Sequence, residues 1–124
     1  MEKKQVSFSK MGGSASVDII IGEAHQGTYR VYLWDSNGQN PKMIGAGTNW
    51  DSIADTIELG AVKGLNNKIV TWEIMISVAK VQPGQFYYVN AIFRQDGKIV
   101  DQVSETGPIQ GSKSVVGAAQ IIVA

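Results

Sequence analysis

The chain has 124 residues, 11 of them basic and 11 acidic, with one histidine and no cysteine. That length gives one domain able to bury a core without disulfides, and the missing cysteines exclude both a disulfide scaffold and a thiolate metal centre. Zero net charge removes the electrostatic case for a nucleic-acid partner, and no apolar run is long enough to cross a bilayer as a helix.

The N-terminal stretch MEKKQVSFSK carries charge with no apolar run after it, so no signal peptide is read there. Cytoplasmic is then the default compartment, and a signal removed earlier would make the protein secreted or surface-bound. Residues 5–11 alternate Val6 and Phe8 with short polar residues, which predicts a short edge strand ending at Gly12, Gly13 and Ser14. Residues 15–22 (ASVDIIIG) predict a second strand, with Val17, Ile19 and Ile21 on one face and Asp18 on the other. Residues 23–27 read as a polar connection carrying His25.

Residues 28–35 (TYRVYLWD) give the cleanest alternation. Tyr29, Val31 and Leu33 suit a core, while Thr28, Arg30, Tyr32 and Trp34 suit an amphipathic outer face. Turn residues fill 36–41 (SNGQNP). Residues 42–50 are broken by glycine and predict a strand with a bulge or bend. Residues 53–59 are ambiguous between helix and strand, and their neighbours favour strand. A loop over 60–68 leads into 69–79 (IVTWEIMISVA). There Val70, Trp72, Ile74, Ile76 and Val78 share one face, and the β-branched density argues against a helix.

Pro83-Gly84 marks a turn inside 80–85. Residues 86–105 then read as a hairpin about Asp96-Gly97, because both central positions of a type I′ turn need positive φ. A two-residue turn sets Gln95 opposite Lys98, Arg94 opposite Ile99 and Ile92 opposite Asp101, with Arg94 and Asp101 as a diagonal surface pair. The second arm mixes Ile99 and Val103 with Asp101 and Glu105 on one side, the mark of a charged edge strand. Gly107-Pro108 ends it, and 114–124 form the last strand, with Val115, Ala119, Ile121 and Val123 on one face.

Seven or eight short strands without a helix predict an all-β fold, an antiparallel β-sandwich in one domain over 1–124, immunoglobulin-like or jelly-roll-like, with a barrel as the alternative. The succession in 86–109 of a Tyr-bearing strand, a polar hairpin and a charged return resembles the late strands of fibronectin type III or immunoglobulin-like domains. It covers about a fifth of the chain, carries no diagnostic residue and lacks the immunoglobulin Cys pair.

Chemistry has few places to sit. His25 is the lone histidine, beside Glu23. The segment from Asp35 to Asn40 offers oxygen ligands but departs from a calcium loop: Gly38 stands fourth rather than sixth, and Ala46 replaces the bidentate Glu. Glu73 lies in the most apolar strand, yet it shares its face with Thr71 and Ser77, a solvated side. No acid, base and nucleophile can be given roles, so the chain reads as non-enzymatic, with no metal and no cofactor. A small hydrolase using Glu73 or His25, and a membrane-active sandwich, are weaker readings.

What remains is aromatic. Tyr32, Trp34, Trp50, Tyr87 and Tyr88 fall on strand ends or outer faces near loops rich in Asn, Asp, Gln and Gly. Planar rings stack on sugar faces, and amides and carboxylates bond sugar hydroxyls. The first expectation is a lectin-like, glycan-binding module using Trp34, Asn37, Asn40, Trp50 and Asp51. The alternative is a protein-interaction or assembly subunit that uses the aromatic face or an edge strand. Homo-oligomerisation would suit either, since avidity multiplies weak affinity.

Overall fold

The computed structural model describes residues 4–22, 25–48, 55–78 and 82–124. Among them run nine strands: β1 (Lys4–Phe8), β2 (Ser14–Ile21), β3 (His25–Trp34), β4 (Lys42–Thr48), β5 (Asp55–Ala61), β6 (Ile69–Val78), β7 (Phe86–Gln95), β8 (Lys98–Pro108) and β9 (Ser112–Val123). They form a five-stranded sheet in the order β1-β9-β6-β3-β4 and a four-stranded sheet in the order β5-β2-β7-β8. The sheets pack face to face as a sandwich and do not close into a barrel. Every pairing is antiparallel except β1 with β9, which run parallel.

The alternation read from β3 and β6 sets the inner face. Tyr29, Val31, Val70, Trp72, Ile74 and Ile76 are buried, and Leu33 and Val78 pack against the same core. From the other sheet Val17, Ile19, Val89 and Phe93 meet them. Phe93 anchors the middle, its ring centroid 6.4 Å from Phe8 and 6.1 Å from Trp72. Gly117 lies opposite Trp72 across β9 and β6, and a Cβ there would overlap the indole, so the ring fills the place of the missing side chain.

The Asp96-Gly97 turn is as expected, with φ of 49° and 83°. It also fastens the start of the chain. Asp96 accepts the backbone N–H of Gly13 and Ser14 at 2.9 and 3.0 Å. The Gln95 amide accepts from Ser9 N–H at 2.9 Å and donates to Ser9 C=O at 2.7 Å. The bonds from Gly13 and Ser14 hold the Asp96 carboxyl below the usual carboxylate range.

Several expectations shift. β1 stops at Phe8 because Ser9 turns the chain, its C=O and hydroxyl accepting the N–H groups of Gly12 and Met11 at 3.1 Å each. The expectation of a bulge or bend in β4 is met by a bulge: Val31 pairs Gly45 and Tyr32 pairs Met43, leaving Ile44 as the extra residue. Residues 53–54 lie outside the described residues, but β5 is a strand and runs on to Ala61, ahead of a short 3₁₀ turn at Val62–Gly64.

The hairpin carries a second bulge. Gln95 faces Lys98 and Arg94 faces Ile99 as expected, but then Phe93 faces Asp101 and Ile92 faces Gln102, with Val100 extra. The bulge turns Asp101, Val103 and Glu105 onto the inner face of β8, the edge strand. Arg94 therefore does not meet Asp101. Its Nε bonds Asp18 Oδ2 at 3.0 Å on the outer face, and Asp101 takes Lys4 Nζ at 3.0 Å instead.

Candidate functional site

The β3–β4 turn places three of the five expected ligand residues at one end of the five-stranded sheet. Trp34 ends β3 half-buried, and its ring N–H donates to Thr71 Oγ1 at 2.8 Å, so the indole reaches along the outer face. Asn37 Oδ1 accepts the Gln39 N–H at 3.1 Å, and Asn40, at φ 56°, donates from Nδ2 to Asp35 Oδ2 at 2.8 Å. The turn closes through Asp35 N–H to Gln39 C=O and Gly38 N–H to Asp35 C=O, both 2.9 Å. Both asparagine side chains thus build the turn, as Asx residues do. Asp35 Oδ2 likewise serves the turn, accepting from Asn40.

Trp50 and Asp51 lie outside the described residues. β4 ends at Thr48, whose partner is Thr28, and Thr28 stands roughly 20 Å along β3 from Trp34 at the strand's rise per residue. Trp34, Asn37 and Asn40 therefore gather at one end of the sheet, and the chain enters the Trp50 segment from the other. His25, expected in a loop, opens β3 opposite Val78. Tyr87 and Tyr88 separate by period two: Tyr87 is buried on the inner face, and Tyr88 is exposed on the outer.

Between the ends, the outer face of the five-stranded sheet carries an arrangement that no short motif encodes. Arg30 on β3 and Glu73 on β6 are direct cross-strand partners. Both are exposed, yet neither forms an ion pair or hydrogen bond with another described residue. They share a shallow depression of about 780 Å³ with Thr28, Thr48, Met75 and Ser114. Tyr32 and Trp34 continue the same face along β3. Beside them stand Met43 and Val116, and these two and Met75 are exposed apolar side chains. The alternation had already placed Arg30, Tyr32, Trp34 and Glu73 outward; the missing knowledge was the β3–β6 register that makes neighbours of Arg30 and Glu73.

The outer face of the four-stranded sheet spends its polar groups differently. Asp18 is buried and held by Arg94, with its Oδ1 unpartnered. Asn90, also buried, donates to Gln102 Oε1 at 2.9 Å and accepts from Ser104 Oγ at 3.1 Å. This network ties β2, β7 and β8 together across the sheet.

On the inner side of β8, the Tyr87 hydroxyl donates to Glu105 Oε2 at 3.1 Å. Burial first, and then that bond to a carboxylate, push the Tyr87 phenol above its ordinary value. Among the described residues no helix is long and apolar enough to span a membrane. Comparison of the chain with protein-family models, curated proteins and solved structures finds no match.

Proposed function

We propose that the protein is a non-enzymatic binding module that takes a glycan on the outer face of the five-stranded sheet. The observation that carries this reading is the open Arg30 and Glu73 pair lying beside Tyr32 and Trp34. A guanidinium donates to two neighbouring hydroxyls, a carboxylate accepts from two more, and the aromatic rings offer planes to the C–H faces of a sugar. The hydroxyls of Thr28, Thr48 and Ser114 line the same depression. Glu73 is the one carboxylate among the described residues lining it, whereas hydrolysis of a glycosidic bond generally takes two. The residues present suit holding a sugar rather than cleaving it.

A second reading has its own support. Met43, Met75 and Val116 are exposed on this face, and Met, Tyr, Trp and Arg together are what protein interfaces enrich. A protein partner would cover these side chains; a sugar would leave them wet.

Glycan-array binding by the parent, Arg30→Gln, Glu73→Gln and Trp34→Ala separates the two. The expected result is selective binding that falls at least about tenfold in each charge variant, the worth of one charge-assisted hydrogen bond. Absence of binding across the array, with or without calcium, discards the glycan and moves the weight to a protein partner. Binding that survives both charge variants and disappears in Trp50→Ala places the site on the 49–54 segment instead.

A further inference from the structure

Away from this face, the two sheets part along one side of the sandwich. β9 pairs with β6 from Ser112 to Gln120, but β1 covers its opposite edge only from Ala119 to Val123. The stretch 112–118 has no strand on that edge among the described residues. Across the gap stands β8, the outermost strand of the four-stranded sheet. One end of the gap is closed by the short connection from Pro108 to Ser112. At the other end Lys4 Nζ clasps β8, donating to Asp101 Oδ1 at 3.0 Å and to Gln102 C=O at 2.8 Å. Between them lies a cavity of about 630 Å³, floored by Trp72, Val89, Val103 and Val115, with Lys4 and Glu105 exposed at its mouth.

Three features of this cavity need an occupant of one kind. In an antiparallel pair every second residue gives its N–H and C=O to the neighbour, and the alternate residues turn theirs outward. Along 113–118 those outward groups face the gap, whereas the Ser112 N–H is already bound to the Gln110 C=O at 3.0 Å. The floor is apolar and calls for apolar side chains. Glu105, turned inward by the bulge at Val100, accepts the Tyr87 hydroxyl and forms no ion pair among the described residues; the cation nearest this group is Lys113, whose Nζ stands 6.0 Å from the Tyr87 ring centroid. Asp101, the other inward acid of β8, already has Lys4. A hydrocarbon tail would satisfy the floor and neglect both the strand edge and the carboxylate. An extended peptide answers all three.

We infer that this gap is an acceptor for an extended segment of a protein partner, which adds as a strand to the free edge of β9, sets apolar side chains over Trp72 and Val115, and brings a lysine or arginine to Glu105. The stretch 113–118, open among the described residues, sets its length at no more than about six residues. Main-chain bonds supply the affinity, and the alternating inward side chains supply the choice of sequence. This acceptor uses the edge and inner side of β9, whereas the glycan reading rests on Arg30 and Glu73 of β3 and β6; the two meet only at the outer face of β9, around Ser114 and Val116.

The probe is a synthetic peptide of alternating threonine and valine with one central inward lysine, titrated into ¹⁵N-labelled protein. A matched peptide carries glutamate in place of that lysine. Expected are shifts confined to the amides of 112–118 and their neighbours, with exchange of the gap-facing amides slowed at least about tenfold at saturation. The lysine peptide should bind about tenfold tighter than the glutamate peptide, and Glu105→Lys, at an exposed position whose change costs the Tyr87 hydroxyl its acceptor, should reverse that order. Unmoved amides over 112–118 overturn the inference, as does equal binding of both peptides that is indifferent to Glu105→Lys. Decanoate shifting the same amides more strongly would make the gap a lipid site. Protection that grows with protein concentration alone would make the occupant a second copy of the chain. Each of those two outcomes overturns it too.

Discussion

The two outer faces of this sandwich carry the same kind of charge pair and treat it in opposite ways. On the four-stranded sheet Arg94 closes on Asp18 at 3.0 Å, and the carboxylate is only 8% exposed. On the five-stranded sheet Arg30 and Glu73 are direct cross-strand partners, and no ion pair joins them. The contrast separates a charge that the fold consumes from a charge that the fold leaves free. Asp18 lies between flanking strands on both sides, pairing Thr56 on β5 and Ile92 on β7, so its neighbours shut out water and an unpaired carboxylate there would be costly. Arg30 has the small Ala46 opposite it on β4, and both it and Glu73 are exposed to water. A free pair costs little to keep, and it remains available to a ligand.

Removing one arginine at a time breaks that contrast most sharply. Arg94→Met strands the Asp18 carboxylate and should cost about 3 kcal/mol, the usual penalty for breaking a buried pair from one side. Adding Asp18→Leu to it should recover most of the loss, to within about 1 kcal/mol of the parent. Arg30→Met should change stability by less than about 0.5 kcal/mol while removing glycan binding. Urea midpoints of the four proteins decide it. Equal losses from Arg30→Met and Arg94→Met would erase the distinction between the faces.

What the sequence let one read follows the range of the interactions involved. Asp96-Gly97 shows its turn because both φ requirements are met within two residues. The faces of β3 and β6 show because a strand's period is local. Asp18 looked like an ordinary outward residue between Val17 and Ile19, and nothing in its neighbours in sequence reveals that Arg94 arrives from β7 to seal it. The Val100 bulge was equally hidden, since one extra residue in a uniform KIVDQV run has no composition of its own. The bulge moved Asp101 from Arg94 to Lys4. The glycan expectation joins Trp34 on an outer face to Trp50 at a strand end; Trp50 lies outside the described residues, and the antiparallel β3–β4 pairing places Thr48, where β4 ends, opposite Thr28 rather than near Trp34. The gap beside β9 depends on where β1 stops, which is set by pairing across the whole length of the chain.

A smaller effect sharpens the contrast from the side of a closed charge. Asp96, held down by the N–H groups of Gly13 and Ser14, has a folded value below the ordinary 3.8. A depressed carboxylate favours the folded state fully above the unfolded value, and that contribution is lost as pH falls through the folded one. The parent should therefore hold its stability down to about pH 4 and lose it below. Asp96→Asn should be less stable near neutrality and flatter across the acid limb. Identical acid limbs in the two proteins would show that the carboxylate does not fasten the start of the chain.

The smallest effect concerns the pair between these extremes, Tyr87 with Glu105, half closed and at the mouth of the gap. The phenol is raised above its ordinary 10.0, by burial first and by the Glu105 carboxylate second. A raised group favours folding fully below its unfolded value, and the benefit is lost as pH rises through the folded one. The parent should thus weaken above about pH 10, and Tyr87→Phe should weaken less. Absorbance of the phenolate separates the two causes. Glu105→Gln should lower the Tyr87 value only part of the way, because burial is the larger cause and remains. A lysine-bearing peptide in the gap would neutralise the same carboxylate and lower the phenol in the same direction, while the glutamate peptide would not. A Tyr87 titration unmoved by Glu105→Gln would leave burial as the whole cause and remove Glu105 from the electrostatics of the gap.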